Sequence, residues 1–287
     1  MGYKKLSNEE EMQIVEEYRQ GTPVNKLMAK YGYATKKSIT DKVKKYYPDS
    51  YKNIIKEAQD NRKGYKYKLE KISCEFDAYY IGLMLTDGYV SCKGDIGIDL
   101  VDEDCIAFLS KTIGKDYHTY APTNSENSLI NGKPVISKQN RHRLILQDKE
   151  LEENLKRFNI IPNKTKILTG PTLLPEEEKY IPYIIRGIID GDGSVSPTSY
   201  GAPQFRIVSY TSDFCEWIAE MLASKMYMID IKVNKKSGEN LYFVNSADQG
   251  NILKLISMSY NKPFGMQRKY KKLRETFRDY NGDFLLK

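Results

Sequence analysis

The stretch YYIGLMLTDG, residues 79–88, is apolar almost throughout and stops abruptly at Asp-Gly; YIIRGIIDGDG, residues 183–193, repeats the plan. Residues 78–87 are apolar on all sides, which predicts a helix buried on most of its faces. Gly82 sits inside that helix, where glycine costs roughly 0.5–1 kcal/mol relative to alanine. Such a cost makes sense where another backbone must come very close. Gly187 holds the same place in the second segment, so each helix is the other's simplest partner. The register is strict: 187 − 82, 192 − 87 and 193 − 88 each equal 105. Gly88 and Gly193 are expected to stop the two helices in the left-handed conformation.

Asp87 and Asp192 then fall at helix C-termini, where the macrodipole is already negative. Two such helices packed side by side in parallel bring both carboxylates to one end. That cluster is unfavourable unless cations neutralise it, and hard divalent cations with oxygen ligands suit it, Mg²⁺ above all. One segment alone would read as a surface turn ending in Asp-Gly. Two in register violate local preference twice, which points to function.

At 287 residues the chain has room for two or three cores, and 40% hydrophobic with 29% charged residues is an ordinary globular composition. It has no run of about eighteen apolar residues to span a membrane. The opening MGYKKLSNEEEM lacks the apolar core of a signal peptide. Cys74, Cys92, Cys105 and Cys215 show no CxxC spacing and read as reduced thiols of a cytoplasmic protein. With only His118 and His142, histidine metal sites and Ser-His-Asp triads are poorly supplied.

The net charge of +7 is unevenly placed. Residues 1–72 hold 17 Lys/Arg against 10 Asp/Glu, and residues 73–287 hold 28 of each. The front quarter therefore carries the whole excess, which suggests an anionic partner there, nucleic acid first. Its pattern is helical. SNEEEMQIVEEYRQG starts at Ser7 as N-cap and stops at Gly21. TPVNKLMAKYG has Pro23 for its first turn and Gly32 for its stop. ATKKSITDKVKKYYP turns Ile39 and Val43 inward and its lysines outward, and closes at Pro48. Three short helices ending in a basic one resemble a helix-turn-helix DNA-binding domain over residues 1–48. Thr35, Lys36, Lys37, Ser38 and Thr40 are its expected base or phosphate contacts. Residues 49–73 read as a connecting helix and linker.

From residue 74 the chain repeats helix, strands, helix, strands, helix. YVSCKGDIGIDL, KDYHTYAP and RHRLILQD read as strands, with a polar loop at 123–141. DEDCIAFLSKTIG and DKELEENLKRFNI read as helices. In the second half, SDFCEWIAEMLASKMY and ADQGNILKLISMSY are helical, and DIKVNKKSGENLYFVNS is a hairpin around Ser237-Gly238. PFGMQRKYKKLRETFRDY supplies a final basic helix.

YIGLMLTDG and IRGIIDGDG resemble the two signature motifs of LAGLIDADG homing endonucleases. The second is close to the family pattern. The first carries Leu85 where many members have an acid, which in the second half is Asp190; being two residues before Asp192, it points to a different face of the helix. The resemblance covers residues 74–287: FNIIPNKTKIL looks like the family's Lys-Thr segment and YNKPFGMQRKYKKL like its C-terminal basic segment. It implies an α+β fold of two pseudo-symmetric αββαββα halves, 74–170 and 171–287, whose curved sheets form a saddle over DNA in a monomer. It also implies a double-strand break with short 3′ overhangs. The metal site, for Mg²⁺ or Mn²⁺, is assigned to Asp87, Asp192, Gly88 and Gly193. Lys164 and Lys269 are the candidate catalytic cations, with Arg268 close behind. Sequence recognition is expected from the sheets, through Lys93, Arg141, Arg143, Gln147, Gln204, Arg206, Lys232, Lys235 and Lys236.

Three other readings compete. An intron RNA-splicing maturase would use the same basic surface on intron RNA, but RNA binding needs no metal pair. A DNA-binding regulator of the same fold could dispense with the acids. An intein domain is disfavoured by Met1 and by the ending DFLLK, which lacks a terminal His-Asn.

Overall fold

The computed structural model describes residues 6–122, 124–130, 133–136, 139–199 and 203–276. The chain divides into two compact units. One holds the residues up to Tyr67 with Ile113–Lys115, and the other holds Lys68–Thr112 and Asp116 onward.

The first unit is helical. Helix α1 (Asn8–Arg19) starts on Ser7, whose Oγ accepts from the Glu10 amide at 3.2 Å while the Glu10 carboxylate accepts from the Ser7 amide at 2.8 Å. This reciprocal capping box satisfies two amides that the first helical turn would otherwise leave open. α2 (Val24–Tyr31) ends on Gly32 at φ 72°, and α3 is Lys36–Tyr46. The connecting helix expected after residue 48 is α4 (Tyr51–Lys63). Ile54 and Ala58 put it in one apolar core with Ile14, Val15, Tyr18, Leu27, Ile39 and Val43. Three amphipathic helices leave one flank of that core open, and α4 covers it. A boundary at residue 48 would strip the core, so the unit runs to Tyr67.

Not every lysine of α3 is free. Glu11 of α1 holds Lys42 and Lys45, each at 2.6 Å, and accepts from the Tyr46 hydroxyl at 2.9 Å. The Lys42 and Lys45 hydrogen bonds lead in drawing the Glu11 pKa down from 4.5 to about 2. A carboxylate lowered in the folded state stabilises above its unfolded pKa, and that stability disappears as pH falls through the folded value. Allowing for solvent screening of the half-exposed Lys45, Glu11→Gln is expected to cost about 1 kcal/mol at pH 7. The deficit should vanish between about pH 4.5 and pH 2; chemical denaturation of both proteins across that window checks it.

The second unit is built on the pair α5 (Glu75–Leu85) and α8 (Ile181–Gly191). Each starts one half. The first continues with β1 (Gly88–Val90), β2 (Asp95–Leu100), α6 (Glu103–Ile113), β3 (His118–Tyr120), β4 (Asn124–Ile130), β5 (Lys133–Ile136), β6 (Arg141–Gln147) and α7 (Lys149–Lys156). The second continues with β7 (Gly193–Pro197), β8 (Pro203–Ser209), α9 (Ser212–Ser224), β9 (Val233–Lys235), β10 (Tyr242–Ser246), α10 (Gln249–Met258) and α11 (Gln267–Lys271). The C-terminal part of the expected basic helix, residues 277–280, lies outside the described residues.

The two sheets are antiparallel and share one order, β1-β2-β6-β3 and β7-β8-β10-β9. Strand alternation turns Ile96, Ile98, Leu144 and Leu146 of the first, and Phe205, Ile207 and Val244 of the second, into the core. The expected polar loop at 123–141 instead contains the hairpin β4-β5, a separate two-stranded sheet.

The helix pair meets glycine against glycine. A Cβ at Gly82 would lie 2.2 Å from the Ile184 carbonyl oxygen and 2.8 Å from the Gly187 Cα. One at Gly187 would lie 2.3 Å from the Tyr79 carbonyl oxygen. Only hydrogen fits at either position. Gly88 and Gly193 correct the expectation of left-handed helix stops. Neither has positive φ, and each opens a strand. They are glycines because the chain folds back over its own helix: a Cβ would meet the Met84 Cα at 2.5 Å or the Ile189 Cα at 2.6 Å.

Candidate active site at the paired helix ends

α5 ends at Leu85, and Asp87 follows two residues on; Asp192 is itself the C-cap of α8. Because the helices cross at their glycines and run on together, their ends coincide. A Cβ added at Gly191 would lie 2.9 Å from Asp87 Oδ2 and 2.0 Å from the Thr86 hydroxyl oxygen. The Asp87 carboxylate therefore abuts the residue that precedes Asp192.

Each helix end is closed by a buried lysine. Lys164, on a single 3₁₀ turn (Lys164–Lys166), donates to the carbonyls of Gly88 at 2.7 Å and Thr86 at 3.2 Å. Lys269, on α11, donates to the carbonyls of Ile189 and Asp190 at 2.6 Å, Gly193 at 2.7 Å and Gly191 at 3.2 Å. Each lysine is only 6% exposed. The pseudo-repeat extends to them, since 269 − 164 is again 105. An ammonium at a helix C-terminus meets carbonyls without intrahelical partners and the negative end of the dipole. Burial draws both lysine pKa values down, and the nearby carboxylates oppose that shift.

The carboxylates are pushed the other way. Burial, then repulsion by Asp192, raises the Asp87 pKa from 3.8 to about 6. Burial raises Asp192 as well, against the pull of Lys164 and Lys269. Asp192 keeps a solvent-exposed surface while Asp87 is half-buried. Neither has a hydrogen-bond or ion-pair partner among the described residues.

That arrangement fits a hard divalent cation. Two unpartnered carboxylates with raised proton affinity lack a positive charge between them. Among the described residues no group of three or more His, Cys, Asp or Glu converges. Asp87 and Asp192 are the two side chains there that could hold a divalent cation, with water at its other positions. The carbonyls of Gly88 and Gly193, the other two assigned ligands, each accept from a lysine at 2.7 Å, which leaves one lone pair on each oxygen. An open cleft of about 280 Å³ adjoins the pair, with Thr86, Lys164, Thr165, Asp192 and Tyr210 in its wall.

Two residues near the carboxylates carried no sequence signal. Thr86 donates its hydroxyl back to the Leu83 carbonyl at 3.1 Å, and its hydroxyl oxygen and Cβ face Gly191. Asp102 contributes negative field at Asp87 and binds the Arg268 guanidinium through two contacts of 3.1 Å. Arg268 is thus neutralised by a carboxylate of the other half. Asp190 is fully buried and bonded to two tyrosines, away from the carboxylate pair.

The expected recognition residues divide into free and engaged groups. Lys36 and Lys37 are exposed on α3, with Ser38 and Thr40 half-buried beside them. Lys93, Arg141, Arg206 and Lys232 are exposed. Arg143 is held by Asp99 at 2.6 and 2.7 Å, and Gln147 by Asp95 at 2.6 Å, each directly across the β2-β6 ladder. Gln204 faces Ser196 at 3.4 Å, and Lys236 pairs with Glu239 at 2.7 Å. Lys235 is exposed, on the same side of β9 as Val233 and opposite Tyr242. Asn234, Asn245 and Ser194 hold the open-face positions of that sheet instead.

No protein-family model matches the sequence, and no curated protein matches it. Solved structures do. The homing endonuclease I-WcaI, bound to its DNA recognition sequence, is similar at 14% identity over 76% of this chain and 92% of its own, with a TM-score of 0.52. Full-length DUF199/WhiA from Thermatoga maritima matches at 13% identity over 75% of this chain, with a TM-score of 0.43. This chain spans 66% of that protein's length, just under two thirds. The LAGLIDADG meganuclease I-AabMI, bound to uncleaved DNA, matches at 14% identity over 68% of this chain and 86% of its own, with a TM-score of 0.40. The chain has the LAGLIDADG fold: two similar α+β halves joined through a central helix pair. Among the described residues no helix is long and apolar enough to cross a membrane.

Proposed function

We propose that this chain is a metal-dependent, site-specific DNA endonuclease that cuts both strands and leaves short 3′ overhangs. The observation that carries the reading is the convergence of Asp87 and Asp192, unpartnered, at the ends of two helices packed glycine to glycine. Both are the metal ligands in this reading. A divalent cation, Mg²⁺ or Mn²⁺, would lower the pKa of a water and stabilise the leaving 3′ oxygen of a phosphodiester. The protein's own groups do the rest. Lys164 and Lys269 hold the helix ends, and with them the carboxylates, at fixed spacing. Lys164 uses two of its three N–H donors on carbonyls, which leaves one for a phosphate oxygen. The open sheet faces lie along the DNA grooves, with Arg206, Asn245 and Ser194 forming one transverse row across the second sheet.

A Mg²⁺-dependent selection on a random duplex library, with the ends sequenced, tests the reading. Recovery of one preferred sequence, cut on both strands with short 3′ overhangs, is the expected result. A preferred sequence that is bound and never cut, with Mg²⁺ or Mn²⁺, would instead make the protein a DNA-binding regulator.

The helical unit adds a second DNA contact in this reading, a helix-turn-helix whose α3 presents Lys36 and Lys37. Replacing both with alanine is expected to flatten the slope of log Kd against log salt by about two, since each phosphate contact contributes about 0.9. An unchanged slope in a filter-binding titration would assign those lysines to another partner.

A further inference from the structure

α8 carries a buried charge pair at two positions that are apolar in α5. Arg186 and Asp190 lie one turn apart on α8, both with no exposed surface, Nε to Oδ2 4.0 Å. The Arg186 guanidinium donates to the carbonyls of Lys262 at 2.9 Å and Ser259 at 3.2 Å, and to that of Phe264. It also lies 4.0 Å from the Phe264 ring and 4.7 Å from the Tyr260 ring. Asp190 accepts from the Tyr260 hydroxyl at 2.7 Å, the Tyr79 hydroxyl at 2.8 Å and the Met266 amide at 3.2 Å. Between them, the two side chains strap residues 259–266 to α8. α11 begins at the next residue, Gln267, and Lys269 is its third.

The corresponding places in the first half are Ile81 and Leu85, since 186 − 81 and 190 − 85 are both 105. Both are buried and apolar. Lys164 arrives there on a 3₁₀ turn entered through Asn163 at φ 59°. Burying two charges is costly, and well-packed apolar residues of similar size are often as stable or more so. Stability alone therefore does not explain the pair.

We infer that Arg186 and Asp190 are positioning residues that deliver Lys269 to the end of α8, so that one of the two strand cleavages depends on them and the other does not. The geometry gives the route: the Asp190 side chain holds the Met266 amide, and the Asp190 carbonyl accepts Lys269 itself at 2.6 Å. A lysine displaced from the four carbonyls would leave the Asp192 end of the site loose while Lys164 still held the Asp87 end. This inference rests on the nuclease reading only for its activity arm.

The test is the double variant Arg186→Ile with Asp190→Leu, which copies the first half and leaves no unpaired buried charge. On supercoiled plasmid carrying the selected target, with each strand end-labelled, cutting of one strand should slow by about tenfold or more, as a small misplacement of a reacting group allows. The other strand's first-order rate and the DNA affinity should stay within about twofold, a local loss rather than global unfolding. Equal slowing of both strands, or of neither, overturns the inference. Backbone amide exchange supplies an arm independent of cleavage: Met266 and residues 267–271 should exchange about tenfold faster or more in the folded variant. If the unmodified protein binds DNA without ever cutting it, the nuclease reading fails and the exchange arm alone decides; unchanged exchange then overturns the positioning role. Should the double variant fail to fold, Tyr260→Phe removes one Asp190 hydrogen bond and must show the same strand bias at smaller size.

Discussion

Replacing Asp87 or Asp192 with asparagine is expected to reduce double-strand cleavage by about a thousandfold or more while DNA affinity is retained. Loss of an outer partner of a metal ligand alone costs about 10–100-fold, and among the described residues these two carboxylates stand unpartnered at the helix ends. Plasmid linearisation and a binding titration on the same preparation separate the two effects. Cleavage at the normal rate by either variant would end the assignment. The same substitution has an opposite effect on the metal-free fold. Burial and Asp192 raise the Asp87 pKa from 3.8 to about 6, so the native state binds that proton more tightly than the unfolded chain. Stability from such a group is complete below the unfolded value and drains away as pH rises through the folded one. At pH 7 the ionised carboxylate therefore weakens the fold. Discounted for partial exposure, Asp87→Asn is expected to stabilise the chelated protein by about 1–2 kcal/mol at pH 7. Melting curves in chelator at pH 4 and pH 7 check the sign: the gain should be present at the higher pH and absent at the lower. A site that costs stability and is nonetheless kept is expected where the cost serves function.

Gly82→Ala and Gly187→Ala carry the largest expected effect on folding. On an isolated helix either change would gain roughly 0.5–1 kcal/mol. Here a Cβ at Gly82 would sit 2.2 Å from the Ile184 carbonyl oxygen, and one at Gly187 2.3 Å from that of Tyr79. Both obstacles are backbone of the partner helix, which cannot rotate away as a side chain could. Separating the helices opens the core along their whole contact, so the cost should exceed about 3 kcal/mol, a large part of an ordinary domain's stability. Urea denaturation followed by near-ultraviolet dichroism measures it. A midpoint within error of the unmodified protein would show that the helices do not touch at their glycines.

Parts of this architecture could be read without coordinates because their physical cause is local. Two segments apolar on every face, each broken by one glycine, have few solutions other than a close helix pair. The 105-residue spacing then carries over from glycine to aspartate. Ser7, three residues ahead of Glu10, announces a capping box by spacing alone. Elsewhere the cause is a neighbour that the sequence does not name. Glycine after a helix commonly marks a left-handed stop, yet Gly88 and Gly193 are glycines to clear the helix's own last turn. Polar composition makes α4 legible as a connecting helix, but not its place in the core, which it owes to Ile54 and Ala58. The Arg143–Asp99 and Gln147–Asp95 pairs join residues 44 and 52 positions apart, and only the β2-β6 register puts them face to face.

The sequence by itself determined a twofold plan: two buried glycine-bearing helices, each leading into an aspartate, behind a basic helical module. Periodicity and composition act within a few residues, so they suffice for that. Only the tertiary structure decided what stands beside the aspartates. Two lysines from distant segments close the helix ends, and a buried arginine and aspartate anchor one of those segments and not the other. Those contacts depend on which surfaces meet after the chain has folded, and side-chain chemistry alone does not specify that.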